Sequence, residues 1–250
     1  MEKEDNHIAV LIDADNVSDK YIKYILDEVS NDGIATYKRI YGDWTKPVLG
    51  SWKTVLLDNS ITPVQQYAYT TGKNATDSAM IIDAMDILYS GNVNGFCLVS
   101  SDSDFTRLAS RLRESGMLVI GMGEKKTPSA FIAACNKFKY LEILAQPSPT
   151  VKAPEPAKEE KDEKEEKTDM TPLETVKQSV LTIMDEIADE DEWVIISEIG
   201  DRLNKRYPDF DVRNYGFRKL TPFIKSLGIL DIRSTPTNNG NSRLVYVKVK

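Results

Sequence analysis

Through residue 146 the chain alternates short apolar runs with longer amphipathic stretches, and that alternation leaves few folds open. Strand-like runs fall at 8–12, 35–41, 63–68, 95–100, 117–122 and 139–144. Helix-like patterns fall near 18–30, 47–57, 75–90, 103–115 and 128–136. Parallel strands covered on both faces read as continuous apolar runs, and each needs a crossover, usually a helix, to reach the next. The expectation is an α/β fold, a parallel sheet sandwiched by helices.

At Gln146 the composition changes. Pro147, Pro149, Pro154 and Pro156 precede a run of lysine and glutamate without apolar periodicity, so residues 147–170 read as a solvated acidic linker. The break predicts two domains, 1–146 and 171–250. In the second, helices are expected at 172–188, in a short segment capped by Ser197 and ending near Arg206, and at 213–227. A strand at 229–234, a turn at Thr237–Asn241 and a strand at 243–249 complete a winged helix-turn-helix layout.

A net charge of −7 removes bulk basicity as a reason to expect nucleic-acid binding, so any such reason must be local. The first residues lack the basic and apolar regions of a signal peptide, and no apolar run approaches the ~20 residues that span a bilayer. Cys97 and Cys135 lie in apolar surroundings and read as core residues in a reducing compartment. A cytoplasmic protein with no membrane partner is expected. The single histidine, His7, sits in a charged stretch, which nearly excludes a histidine-based triad or a zinc site.

Carboxylates remain, and three segments concentrate them: Ile12-Asp13-Ala14-Asp15-Asn16, Asn74-Ala75-Thr76-Asp77-Ser78 and Ser100-Ser101-Asp102-Ser103-Asp104-Phe105. The first and third follow strand-like runs, and the second opens a helix-like stretch. In a parallel sheet, strand C-termini and the next helix N-termini share one edge, where ligands bind. At ~100° per residue Asp77 heads a stripe with Ile81, Ala84 and Leu88, which turns it inward. Asp83 and Asp86 fall on the other side and read as solvated charges. Taken singly, these aspartates suit helix caps. Together, Asp13, Asp77 and Asp102 crowd like charges that a divalent cation with oxygen ligands would hold, Mg²⁺ or Mn²⁺. That chemistry suits hydrolysis of a phosphate ester. Lys73, four residues before Asp77, is placed either to contact a phosphate or as a solvated loop residue. Lys125 and Lys126 are candidates for the same rim.

On these three motifs, in this order, residues 7–145 resemble the NYN domain of the PIN-like nuclease superfamily. The resemblance implies a Rossmann-like, PIN-like sheet and a metal-dependent ribonuclease site. It would make Asp13, Asp77 and Asp102 metal ligands, Asn16 a support for Asp13, and Asp104 an additional or outer ligand. A rival reading uses Asp13 and Asp15 as nucleophile and acid of a haloacid-dehalogenase-like phosphatase, but leaves Asp77 without a role.

Residues 171–250 resemble the LOTUS, or OST-HTH, domain, on Ile199-Gly200-Asp201-Arg202-Leu203 and Asn214-Tyr215-Gly216-Phe217-Arg218-Lys219-Leu220. That resemblance implies RNA binding or docking of a helicase-type protein. Phe217, Leu220, Ile224 and Leu227 form the apolar stripe expected of the third helix. Arg213, Arg218, Lys219 and Lys225 fall on the other side, a local basic face able to meet nucleic-acid backbone. The reading is therefore a metal-dependent ribonuclease of RNA processing or turnover with an RNA- or partner-binding module. The alternative is an RNA-binding adaptor without catalysis.

Overall fold

Six of the apolar runs become strands of one parallel sheet: β1 (His7–Asp13), β2 (Ile34–Gly42), β3 (Thr62–Gln65), β4 (Gly95–Val99), β5 (Leu118–Gly123) and β6 (Lys137–Tyr140). Their order is β3-β2-β1-β4-β5-β6. The computed structural model describes residues 5–67, 75–146, 170–188, 193–236 and 243–250, in two compact units, 1–145 and 146–250. Lys73, the turn at 237–241 and nearly all of the acidic linker lie outside the described residues. No helix among the described residues is long and apolar enough to cross a membrane.

In the first unit, helices return the chain between strands: α1 (Ile22–Ser30), α2 (Trp52–Asp58), α3 (Ala75–Ser90), α4 (Thr106–Glu114) and α5 (Ser129–Ala134), with a short α6 (Leu141–Leu144) at the end. Strand alternation sends Ile8, Val10 and Ile12 to one face, against Ile22 and Ile25 of α1, Trp52 of α2 and Leu141 of α6. Ala9 and Leu11 point to the opposite face, which α3 covers, and both are fully buried. Each such branched side chain contributes ~1.5–3 kcal/mol on leaving water. β1 and β4 are neighbours at the centre, and the strand order runs outward from them in both directions. A crevice opens at such a switch point, beyond the strand C-termini.

Several expectations for single elements need correction. Residues 139–144 do not continue as a strand. β6 stops at Tyr140, opposite the last residue of β5, Gly123, so later backbone groups have no ladder partner and coil into α6. In α3 the buried stripe runs through Asp77, Met80, Ala84 and Ile87, while Ile81 and Leu88 are only half-buried. Asp83 is not a solvated charge: Arg39 and Tyr41 of β2 both bond its carboxylate. Asp86 is exposed.

Others concern the second unit: α7 (Leu173–Ile187), β7 (Val194–Ile195), α8 (Ile196–Arg206), α9 (Leu220–Ser226), β8 (Leu230–Pro236) and β9 (Arg243–Val249). The 213–227 helix is broken into a 3-10 turn, Val212–Tyr215, and α9. Gly216 between them adopts φ +80°, a left-handed conformation that glycine reaches without a Cβ penalty and that ends a helix. Restarting at Leu220 shifts the helical phase, so Phe223 joins Ile224 and Leu227 in the core. Ser197 does not cap α8, whose N-cap position falls at Ile195, the last residue of the two-residue strand β7. That strand pairs with β9, giving a three-stranded antiparallel sheet β7-β9-β8 rather than a lone hairpin.

Candidate metal centre

Asp13 ends β1 level with Tyr41 of β2, and Ile12 pairs with Val99, the last residue of β4. That register sets Asp13 beside Ser100. The carboxylate is fully buried. Its Oδ2 accepts bonds from Ser100 Oγ at 2.8 Å and Asn16 Nδ2 at 2.7 Å, and its Oδ1 accepts the Asp15 N–H at 3.1 Å. Burial still outweighs these bonds and raises its pKa. Ser100 Oγ in turn accepts the Asp102 N–H at 3.0 Å, so one hydroxyl sets the spacing between the two strand-end loops.

Asp102 also does what the capping reading expects, accepting the Asp104 N–H at 2.9 Å ahead of the turn Ser103–Phe105. Capping occupies one oxygen and leaves the group able to act elsewhere. One oxygen from each of Asp77, Asp102 and Asp104 lies within 4.8 Å of the others. Asp77 is 9 % exposed, and its pKa is pushed up to about 6, first by burial and then by Asp13, Asp102, Asp104 and Asp15. The tight trio is thus Asp77, Asp102 and Asp104. Asp13 lies outside it but exerts the largest repulsion on Asp77. All the donors are hard carboxylate oxygens, which fit Mg²⁺ or Mn²⁺ better than a metal favouring nitrogen or sulfur. The cysteines are no part of this: both are buried, and burial pushes the Cys135 thiol up to about 12.

Asp15 stands at the rim, more exposed than Asp13, where its Oδ1 meets Lys46 Nζ at 3.4 Å and its Oδ2 accepts Thr76 Oγ1 at 3.2 Å. Sequence patterning alone does not single out Ser100 or Thr76. The visible sign for Ser100 was a hydroxyl at the last step of a wholly apolar strand, next to an aspartate loop. In the second unit, Arg218, Lys219 and Lys225 are exposed, whereas Arg213 chelates Asp211, with Nη2 to Oδ2 at 2.7 Å. The phosphatase reading needs Asp13 presented as a nucleophile, which complete burial and three hydrogen bonds do not suit.

At the end of β5, a Cβ on Gly123 would come within 2.6 Å of the Ser100 carbonyl oxygen and 2.5 Å of Thr127 Oγ1. The backbone contact cannot yield by a side-chain rotation. Gly123→Ala should therefore cost ~1–3 kcal/mol in thermal or urea unfolding and, by moving Ser100, lower divalent-ion affinity. An alanine variant that binds Mn²⁺ as tightly as the parent would contradict this.

Comparison with known proteins places these features. The family model of the NYN domain matches residues 7–142, and that of the OST-HTH/LOTUS domain matches residues 171–242. No curated protein matches the chain. Among solved structures, a protein of unknown function from Vibrio parahaemolyticus RIMD 2210633 is similar at 19 % identity and a TM-score of 0.45, covering 55 % of this chain and 94 % of its own. With the NYN match spanning more than half its length, the chain belongs to the NYN domain family and carries an OST-HTH/LOTUS domain after it.

Proposed function

We propose that this protein is a metal-dependent ribonuclease that hydrolyses phosphodiester bonds in RNA processing or turnover. The observation that carries the reading is the meeting of Asp77, Asp102 and Asp104, beside buried Asp13, at the switch point of the sheet. Three carboxylates from two crossover segments repel one another there, an arrangement that costs stability without a cation. Asp77, Asp102 and Asp104 would hold the ion, with the neighbouring Asp13 adding charge. A bound Mg²⁺ or Mn²⁺ supplies a Lewis acid that activates water and offsets charge on phosphate oxygens.

The chain's own groups do the positioning. Ser100 and Asn16 orient Asp13, the Ser100 hydroxyl spaces Asp102 from it, and the Asp104 N–H fixes one Asp102 oxygen so that the other can face the ion. In the OST-HTH/LOTUS unit, exposed Arg218 and Lys219 would meet the RNA backbone. Arg213, engaged with Asp211, would support the turn that presents them. Labelled RNA incubated with Mn²⁺ tests the reading: the parent should cleave, EDTA should stop it, and Asp102→Asn should be inactive. Equal cleavage by Asp102→Asn and the parent would reject the assignment.

A further inference from the structure

An acidic centre repels a polyanion, so RNA needs cations beside the carboxylates to be seated there. Two lysines hold matching places at the same edge of the sheet. Lys46 closes a turn just after β2 whose backbone is fixed: its N–H donates to the Asp43 carbonyl at 3.0 Å, and Asp43 Oδ1 accepts Thr45 Oγ1 at 2.6 Å and Gln65 Nε2 at 3.0 Å. Lys126 rides on a turn just after β5. There the Thr127 N–H donates to the Glu124 carbonyl at 2.9 Å, and the Glu124 N–H donates to Ser101 Oγ at 2.8 Å, next to Asp102. The strand order β2-β1-β4-β5 puts the trio's edge between them. Three strand spacings of ~4.8 Å separate the two turns by roughly 14 Å.

Each ammonium is parked on a carboxylate in solvent. Lys46 pairs with Asp15 at 3.4 Å, the side chains 44 % and 35 % exposed. Lys126 pairs with Glu124 at 2.8 Å, the side chains 66 % and 26 % exposed. Pairs this exposed hold weakly, so a phosphate oxygen can replace the carboxylate at little cost. Asp15 also ties Thr76, the neighbour of Asp77, which keeps Lys46 close to the trio.

We propose that a single RNA strand crosses the C-terminal edge of the sheet at right angles to the strands, seated by Lys46 on one side of the acidic centre and by Lys126 on the other. This rests on the ribonuclease reading and adds the path of its substrate. A single strand is favoured because Asp77 is only 9 % exposed, and a flexible backbone can approach so recessed a carboxylate where a rigid duplex cannot.

The test is the salt dependence of binding of a fluorescent single-stranded RNA to the full chain in EDTA, where no cleavage intervenes. Each phosphate contact on a single strand contributes ~0.7 to the slope of log K against log salt. Lys46→Met and Lys126→Met should each lower the slope by ~0.7 and the double variant by ~1.4, while Lys46→Arg restores it. Arg111→Met, an exposed residue near the end of α4, should leave it unchanged. The C-terminal unit adds the same offset to every variant. A parent that cleaves RNA in Mn²⁺ while both lysine variants keep its slope would overturn the path and leave the ribonuclease reading standing. So would a drop for one lysine alone, or a duplex that outcompetes the single strand. Slopes that fall as expected with a parent that never cleaves would support the path and remove the hydrolysis.

Discussion

Asp77→Asn should destroy activity and at the same time make the metal-free protein more stable. RNA cleavage in Mn²⁺ is expected to fall at least about a hundredfold, since even groups that only orient metal ligands are worth ten- to a hundredfold. The stabilisation follows from the charges around the residue. Burial and four neighbouring carboxylates raise the Asp77 pKa from 3.8 to about 6, so its ionised form is penalised in the folded state relative to the unfolded chain. The sign is that of a raised acid: between pH ~4 and ~6 the folded protein holds the proton more tightly, and its stability falls as pH rises through that window. At neutral pH the penalty is on the order of 1–2 kcal/mol after allowance for solvent screening. Asparagine removes it while keeping the shape, and melting in EDTA should rise by a few degrees. Saturating Mn²⁺ should reverse the order, because only the parent gains binding energy in the folded state. Scanning calorimetry in EDTA and in Mn²⁺ checks both arms. An asparagine variant that melts below the parent in EDTA would mean that the carboxylates are not repelling one another.

Phe223→Ala should be the most damaging single change in the second unit. The side chain is fully buried, and its ring meets Tyr215 at 5.1 Å, Phe217 at 5.7 Å and Phe210 at 5.8 Å between centroids. These three come from the segment between α8 and α9, which has little regular structure of its own, so Phe223 is what that segment packs on. Truncation to alanine in such a core costs ~3–5 kcal/mol, a large share of the ~5–15 kcal/mol a domain has. The two units have separate cores, so urea unfolding should show one transition moved to lower denaturant and the other unchanged. Trp193 reports the second unit, and Trp44 and Trp52 the first. RNA affinity should fall with the second unit, and Mn²⁺ binding should persist. A single shared transition, or an unshifted one, would refute the assignment.

Much of this was legible in the residues because it is local. Strand runs and helical stripes repeat with fixed periods, and a buried strand end followed by aspartates marks the binding edge of an α/β sheet. Errors arose where a local rule met a distant partner. Asp83 looked solvated because Arg39 and Tyr41, which bond it, lie more than forty residues earlier on β2. Residues 141–144 looked like a strand because nothing in them records where β5 ends. Gly216 is the exception: a glycine inside a helical pattern was a readable warning that the helix at 213–227 would break there.

Periodicity, then, turned Asp77 inward at the head of its helix, and the apolar runs before them put Asp13 and Asp102 at strand ends. Only the folded chain decided which oxygens meet. The pairing of Ile12 with Val99 sets Asp13 beside Ser100, and the turn after Asp102 brings Asp104, rather than Asp13, into the trio with Asp77. The physical reason is that direction is a property of a few neighbouring dihedrals. The separation of two groups far apart along a chain depends on strand register and on every crossover between them.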